Sequence, residues 1–266
     1  MRTFVIGDVH GRRAQLRRLI EMLPRDPASD TLVLLGDLID RCEDVPGTVE
    51  DVIELHETAK QSGSSVIVLR GNHEQMLLDF IDERKTIWLH EAVGSRETFR
   101  QYTGRDLSIK TERDIDAARS EIADAVPPHH LEFFRQMPLY HEDRYAFYVH
   151  AGLEPDKHPS ASTPHQLLWA RDPDFFKFYH GKPCVFGHTP TPLLPLLGRL
   201  GRHGIYIAHS AIGIDTGYLE TSPLTCLQLP EFFLYQTYAD GRTSTHHITT
   251  FIPETLRAVQ RSAAAH

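Results

Sequence analysis

The chain has 266 residues, 41% hydrophobic and 24% charged, a composition that excludes disorder, collagen and coiled coil and fits an ordinary globular protein. With 28 Lys+Arg against 36 Asp+Glu the net charge is −8, which repels a polyphosphate backbone and makes long nucleic acid a poor expected partner. Seventeen histidines are unusual and point towards metal chemistry, while Cys42, Cys184 and Cys226 lack CxxC spacing, so neither a disulfide framework nor a structural zinc site is expected.

The N-terminus runs through Phe4–Ile6 straight into Gly7-Asp8, too short an apolar stretch for a signal peptide, and no later run approaches the length of a membrane span. A cytoplasmic protein with no membrane partner is expected. Phe4–Ile6, Thr31–Leu35 and Ser65–Leu69 read as short strands, each followed by or close to a glycine. Between them, Leu16, Leu19, Ile20 and Leu23, then Val45, Val49, Val52, Ile53 and Leu55, fall at helical spacing. Alternating strands and helices predict parallel pairing, with functional loops at the carboxyl ends of the strands.

From Glu74 to Gln136 the sequence favours helix, with Met76, Leu77, Phe80 and Ile81 at helical spacing. This stretch reads as a helical excursion, either a lid or interaction surface or plain cover for the sheet. Strand signals resume at Tyr145–Val149, Cys184–Phe186, Ile205–Ala208, Ile212–Ile214, Leu224–Leu229 and Phe232–Tyr238, spaced as in a second, mainly antiparallel sheet. Asp240-Gly241 predicts a hairpin into Thr243–Phe251, and Ser262–His266 a frayed tail. One domain is expected over residues 1–253, with a helical cap over about 75–136 and a tail over 254–266.

Five strand ends carry oxygen or nitrogen ligands: Gly7-Asp8-Val9-His10-Gly11, Gly36-Asp37-Leu38-Ile39-Asp40-Arg41, Gly71-Asn72-His73-Glu74, His150-Ala151-Gly152-Leu153 and Gly187-His188-Thr189. Singly each is a common turn; as an ordered set, each after an apolar run, they specify a site. In this set the chain resembles the calcineurin-like metallophosphoesterases, and within them the phosphoprotein phosphatase (PPP) family of Ser/Thr phosphatases, bacterial type, from about Thr3 to Leu229.

The resemblance implies an α/β fold, a four-layer α/β/β/α sandwich, holding two divalent metal ions. It implies Asp8, His10 and Asp37 as ligands of the first, and Asp37, Asn72, His150 and His188 as ligands of the second. Two cations would neutralise the phosphoryl oxygens and generate a bridging hydroxide for direct in-line attack. Carboxylate, amide and imidazole without thiolate suit manganese first, with iron or zinc as alternatives. The resemblance further implies His73 as the acid that protonates the departing alkoxide, Asp40 as its orienting partner, and Arg41 and Arg171 as phosphate clamps. For Arg171 the competing expectation is a surface salt bridge with Asp172 or Asp174.

Where the family has glycine after the second-motif arginine, this chain has Cys42-Glu43-Asp44, which bears on the loop shape and the aim of Arg41. Cys42 reads as a small packing residue, or alternatively as a thiol of depressed pKa. Glu43 and Asp44 are expected to add negative potential at the entrance. His209 is the nearest competitor for a ligand role; His129-His130, His246-His247, His158, His165, His180 and His203 read as solvated surface residues.

The expected activity is phosphomonoester hydrolysis on phosphorylated protein, as a Ser/Thr protein phosphatase. A relative, the symmetrical dinucleoside-tetraphosphate hydrolase, is the alternative; it typically has Ala where Asp40 stands and Asp where Glu74 stands. A promiscuous small-phosphoester hydrolase is a broader alternative. A non-catalytic scaffold is disfavoured because every expected ligand is present.

Overall fold

The computed structural model describes residues 1–154, 156–198, 201, 204–219, 221–249, 252, 254, 257–259 and 261. The tail Ser262–His266, His203 and the end of the Thr243–Phe251 stretch lie outside the described residues. The N-terminal third follows its sequence pattern: strands β1 (Thr3–Ile6), β2 (Thr31–Leu34) and β3 (Ser65–Val68) alternate with helices α1 (Arg13–Met22) and α2 (Val45–Ser62) and pair in parallel. Asp44 starts α2 by accepting the Gly47 N–H, with proline in the first turn, and Gly63 ends it in the left-handed conformation.

The helical excursion is present as α3 (Asn72–Glu83), α4 (Ser95–Thr103), α5 (Glu112–Ala125) and α6 (Pro128–Gln136). Strands β4 (Tyr140–Glu142) and β5 (Phe147–Val149) follow, then the short helices α7 (Pro164–Trp169) and α8 (Pro173–Phe178), and β6 (Cys184–Phe186), β7 (Tyr206–Ala208) and β8 (Ala211–Gly213). The chain closes with β9 (Leu224–Leu229), β10 (Phe233–Thr237) and β11 (Thr243–His247). The hairpin turn expected at Asp240-Gly241 joins β10 to β11, with Gly241 at φ 91°.

The second half departs from its sequence reading in two ways. The last three strands do not join the second sheet; they extend the first, whose order is β11-β10-β9-β1-β2-β3, with β9 antiparallel to β1. The remaining strands form a mixed sheet, β4-β5-β6-β8-β7, not a mainly antiparallel one, because β5, β6 and β8 run parallel. The parallel β5–β6 step needs a crossover. It is supplied by α7 and α8, each only 6 residues long and opened by proline, too short to show a helical period.

Strand alternation builds the layers. Phe4, Ile6, Leu32 and Leu34 face one core with α1, α2 and the excursion, whereas Val5 and Val33 face a second core with Tyr148, Val185 and Ile212 of the other sheet. Phe147, Val149 and Phe186 face a third core with Phe175 and Phe176 of α8. Three cores between four layers make an α/β/β/α sandwich. Among the described residues, no helix is long and apolar enough to cross a membrane.

Candidate metal centre

Because β1, β2 and β3 are parallel, and β5 and β6 are parallel, their carboxyl ends bring the five motifs to one rim of the sandwich. Asp8, His10, Asp37, Asp40, Asn72, His73, His150 and His188 are all buried there. Asp37 is the hub: its Oδ2 lies 3.7 Å from both His10 Nε2 and His73 Nε2, and its Oδ1 lies 3.4 Å from His150 Nε2. Asn72 Oδ1 sits 2.8 Å from both His150 Nε2 and His188 Nδ1. Asp8 is buried beside this cluster and accepts the His188 backbone N–H at 2.9 Å.

The backbone is bent to make this possible. His10, Asp37, Asp40, Arg41 and His188 all have positive φ, between 49° and 76°, a conformation that costs non-glycine residues energy and that clusters at functional sites. Arg41 reaches φ 76° without the glycine that the family places after it. Its N–H donates to Gly94 O, and Gln101 of α4 donates to Cys42 O, so the excursion shapes this loop. Gly187 and Gly71 are required by close approach: a Cβ would overlap Asp8 Oδ1 at the first and Asp37 Oδ1 at the second.

Glu74, fully buried, ties β2 to β3. Its carboxylate accepts N–H bonds from Gly71, Asp37 and Leu38 at 2.7 to 3.0 Å and a longer one from Ile39. Burial and the Asp37 charge push its pKa up to about 7.

The donor set fits cations. His10 Nδ1 and His150 Nδ1 lie 2.9 Å from the carbonyls of Ile39 and Leu35, which only accept, so both rings carry their hydrogen there and turn an Nε2 lone pair inward. Those lone pairs face the Asp37 carboxylate, acceptor against acceptor, at 3.4 and 3.7 Å. Ligands held at about 2.1 Å in a tetrahedral shell stand about 3.4 Å apart. Asp37 belongs to two groups whose ligand atoms lie within 4.8 Å of one another, one with His10 and His73 and one with His150 and His188. Asp8 completes neither group.

Charge tells the same story. Burial, then the charges of Asp215 and Asp37, push the Asp8 carboxyl well above its usual range. Burial works in the same direction on Asp37, but His150, His73, His10 and His188 outweigh it and hold that carboxyl low. Burial lowers the pKa of His10, His150 and His188 below the usual imidazole range.

Beside the cluster His73 Nδ1 lies 2.6 Å from Asp40 Oδ2, with both residues buried. Burial opposes protonation of His73, but Asp37 and Asp40 prevail and raise its pKa. Arg41 Nη2 is 3.2 Å from His73 Nε2, its guanidinium lies 4.2 Å from the Tyr218 ring centroid, and its buried Nε has no hydrogen-bond partner among the described residues. Arg171 Nε donates to His188 Nε2 at 3.3 Å, while Asp172 caps α8. The surface salt bridge expected as the alternative for Arg171 is absent among the described residues. Arg41, His73 and Arg171 line a cavity of about 540 Å³ that opens on the cluster, with His165 and Trp169 on its wall.

Several contributors escaped sequence reading. Thr98 of α4 bonds Asp40 twice, and nothing in the polar helical stretch marked it. Arg12 donates to the carbonyls of Asp8, Val9 and Gly217, bracing the first loop. Asp215 is buried within range of the Asp8 charge; its place in Ile214-Asp215-Thr216-Gly217 after a strand was the available signal. Cys42 does not have a depressed pKa, since burial raises it. Asp44 is occupied as the cap of α2 and the partner of Arg13. His209 sits in the β7–β8 turn against His180, outside the cluster. His130 is not a solvated surface residue: it is buried at the foot of α6.

The family model of the calcineurin-like phosphoesterases matches residues 1–212. The chain belongs to the calcineurin-like phosphoesterase family. Among curated members, a symmetrical bis(5'-nucleosyl)-tetraphosphatase of Dechloromonas aromatica is 29% identical over 184 residues, covering 67% of this chain and 54% of that one. Serine/threonine-protein phosphatase 1 of Salmonella typhimurium is 39% identical over 87 residues, covering 32% and 36%. The matches thus span about half the length of these relatives or less. Among solved structures, a candidate diadenosine tetraphosphatase superposes with a TM-score of 0.59 at 19% identity, over 92% of this chain and 93% of that one. A cold-active protein-tyrosine phosphatase of a Shewanella species gives 0.55 at 18%, over 92% and 80%. These likenesses confirm the family's fold.

Proposed function

We propose that this protein is a metal-dependent phosphomonoester hydrolase acting on phosphoserine and phosphothreonine in proteins. The observation that carries the reading is the buried Asp40–His73 pair at 2.6 Å. A serine or threonine ester expels an alkoxide, a poor leaving group that needs a proton as the P–O bond breaks. A dinucleoside tetraphosphate expels a nucleotide phosphate, a good leaving group that needs none. An imidazole oriented by a dedicated carboxylate is a device for the first task.

In this reading Asp8, His10 and Asp37 hold one cation, and Asp37, Asn72, His150 and His188 hold the other. When bound, the pair supplies an activated water and neutralises phosphoryl charge. Manganese is the first choice for these oxygen and nitrogen donors, ahead of iron or zinc. Asp40 holds His73 Nδ1–H so that Nε2 delivers the proton to the leaving oxygen. Arg41, with its unpartnered Nε, and Arg171, both lining the cavity, bind the phosphoryl oxygens. Three free thiols support a reducing compartment, the cytoplasm, as the site of action.

The second reading, symmetrical dinucleoside-tetraphosphate hydrolysis, is supported by what the Dechloromonas relative is named for. A panel of phosphoserine peptide, diadenosine tetraphosphate, cyclic nucleotide and aryl phosphate with Mn²⁺ separates them. The phosphopeptide is expected to have the higher kcat/KM than the dinucleotide; a more than tenfold preference for the dinucleotide overturns the proposal.

A further inference from the structure

We propose that Glu50, His129 and His130 form a separate binding site for a borderline divalent cation such as Zn²⁺, which clips α6 to α2. None of the three belongs to the catalytic cluster. His129 Nε2 and His130 Nε2 lie 2.9 and 2.8 Å from the same oxygen, Glu50 Oε2, and one ligand atom from each residue falls within a sphere of mutual distances below 4.8 Å. Two imidazoles and a carboxylate are a zinc donor set, with a fourth position left for water.

Adjacent residues on a helix normally diverge. Here the two rings stand edge to face, 4.5 Å apart at 77°, and both turn Nε2 to the same carboxylate. The other nitrogen of His130 is held by Tyr102 Oη at 2.8 Å, the outer hydrogen bond that fixes a ligating imidazole. His130 is 2% exposed, whereas the Glu50 and His129 side chains are 56% and 55% exposed, so one wall is rigid and the other is open to an entering ion. Burial lowers the His130 pKa, while hydrogen bonds from His129 and His130 lower that of Glu50. Opening the present separations to the roughly 3.4 Å of a tetrahedral shell needs a shift of about half an ångström, within reach of two exposed side chains. The cation would join the end of the excursion to the helix that begins beside Arg41.

The test is zinc stoichiometry and thermal stability of the full chain, wild type against Glu50→Gln and His129→Ala. Both changes lie on exposed side chains, and Tm without added zinc reports whether the fold survives. Each variant is expected to bind one zinc equivalent fewer than wild type and to lose part of the zinc-induced rise in Tm. Asp37→Asn, which strikes the catalytic cluster, is expected to leave the His129-dependent equivalent in place. Equal zinc binding by wild type and both variants would show that protons alone hold the three groups together, and overturns the proposal.

Discussion

Thr98 and Asp40 hold each other reciprocally: the threonine hydroxyl donates to Asp40 Oδ1 at 2.6 Å and accepts the Asp40 backbone N–H at 2.9 Å. Asp40 in turn bonds His73 through its other oxygen. The helical excursion, through α4, therefore fixes one member of the pair at the centre of the proposed chemistry. Thr98→Val keeps the shape and removes both bonds. Turnover of a phosphoserine peptide is expected to fall roughly 10- to 100-fold, the usual effect of losing an outer partner, with metal content unchanged by elemental analysis. Unaltered kcat would show that Asp40 needs no such support.

The leaving-group argument makes a sharper forecast. His73→Asn should lower kcat on an alkyl phosphomonoester by roughly 10²- to 10⁴-fold, and far less on 4-nitrophenyl phosphate, whose phenolate leaves readily. Parallel losses on both substrates would place His73 outside proton transfer. Asp8→Asn, by contrast, should depress both equally through loss of bound metal.

Gly187 lies against Asp8 so closely that a Cβ would overlap Oδ1. Gly187→Ala is expected to displace that carboxylate, cost about 1–3 kcal/mol in urea unfolding and lower Mn²⁺ content per chain. Chelation of the wild type should abolish turnover, and added Mn²⁺ should restore it. A Gly187→Ala protein with full metal content and wild-type stability would contradict the packing.

Asp51 on α2 accepts from Arg13 at 2.8 and 2.9 Å and from Arg17 at 2.5 and 2.6 Å. The Arg13 bonds above all, with those of Arg17, hold its carboxyl below the usual range. A depressed carboxyl stabilises the fold above its unfolded pKa of about 3.9, and the contribution is lost as pH falls through the folded value. Asp51→Asn should thus cost about 1 kcal/mol or less at pH 7, solvent screening included, and progressively less below about pH 4. A stability gap between wild type and variant that widens on acidification would reverse this sign.

The convergence of the candidate site residues on one rim was largely legible in the sequence because its information is local. A ligand must follow its strand within a few residues, so Gly-Asp-x-His-Gly or Gly-Asn-His-Glu can be read without knowing what the strand pairs with. The first three strands, their helices and the excursion are legible for a similar reason: period and turn residues are short-range properties. Thr98 and Tyr218 are not legible. Each acts on a residue far along the chain, and nothing in its own neighbourhood distinguishes it from a surface polar or aromatic residue.

The sequence by itself determined which oxygen and nitrogen donors stand at the strand ends and which family they resemble. Only the tertiary structure decided that β9, β10 and β11 cover the open edge of β1, and that β5, β6 and β8 run parallel, because strand pairing is a choice among distant partners that a strand's own residues do not encode. The histidine count divides along the same line. Composition announced an excess; only folding shows that His10, His73, His150 and His188 converge on Asp37 and Asn72. It likewise shows His130, one of an apparently surface pair, buried with one ring nitrogen on Tyr102 and the other on Glu50. Burial and mutual distance decide which histidines could share an ion, and both are properties of the packed chain.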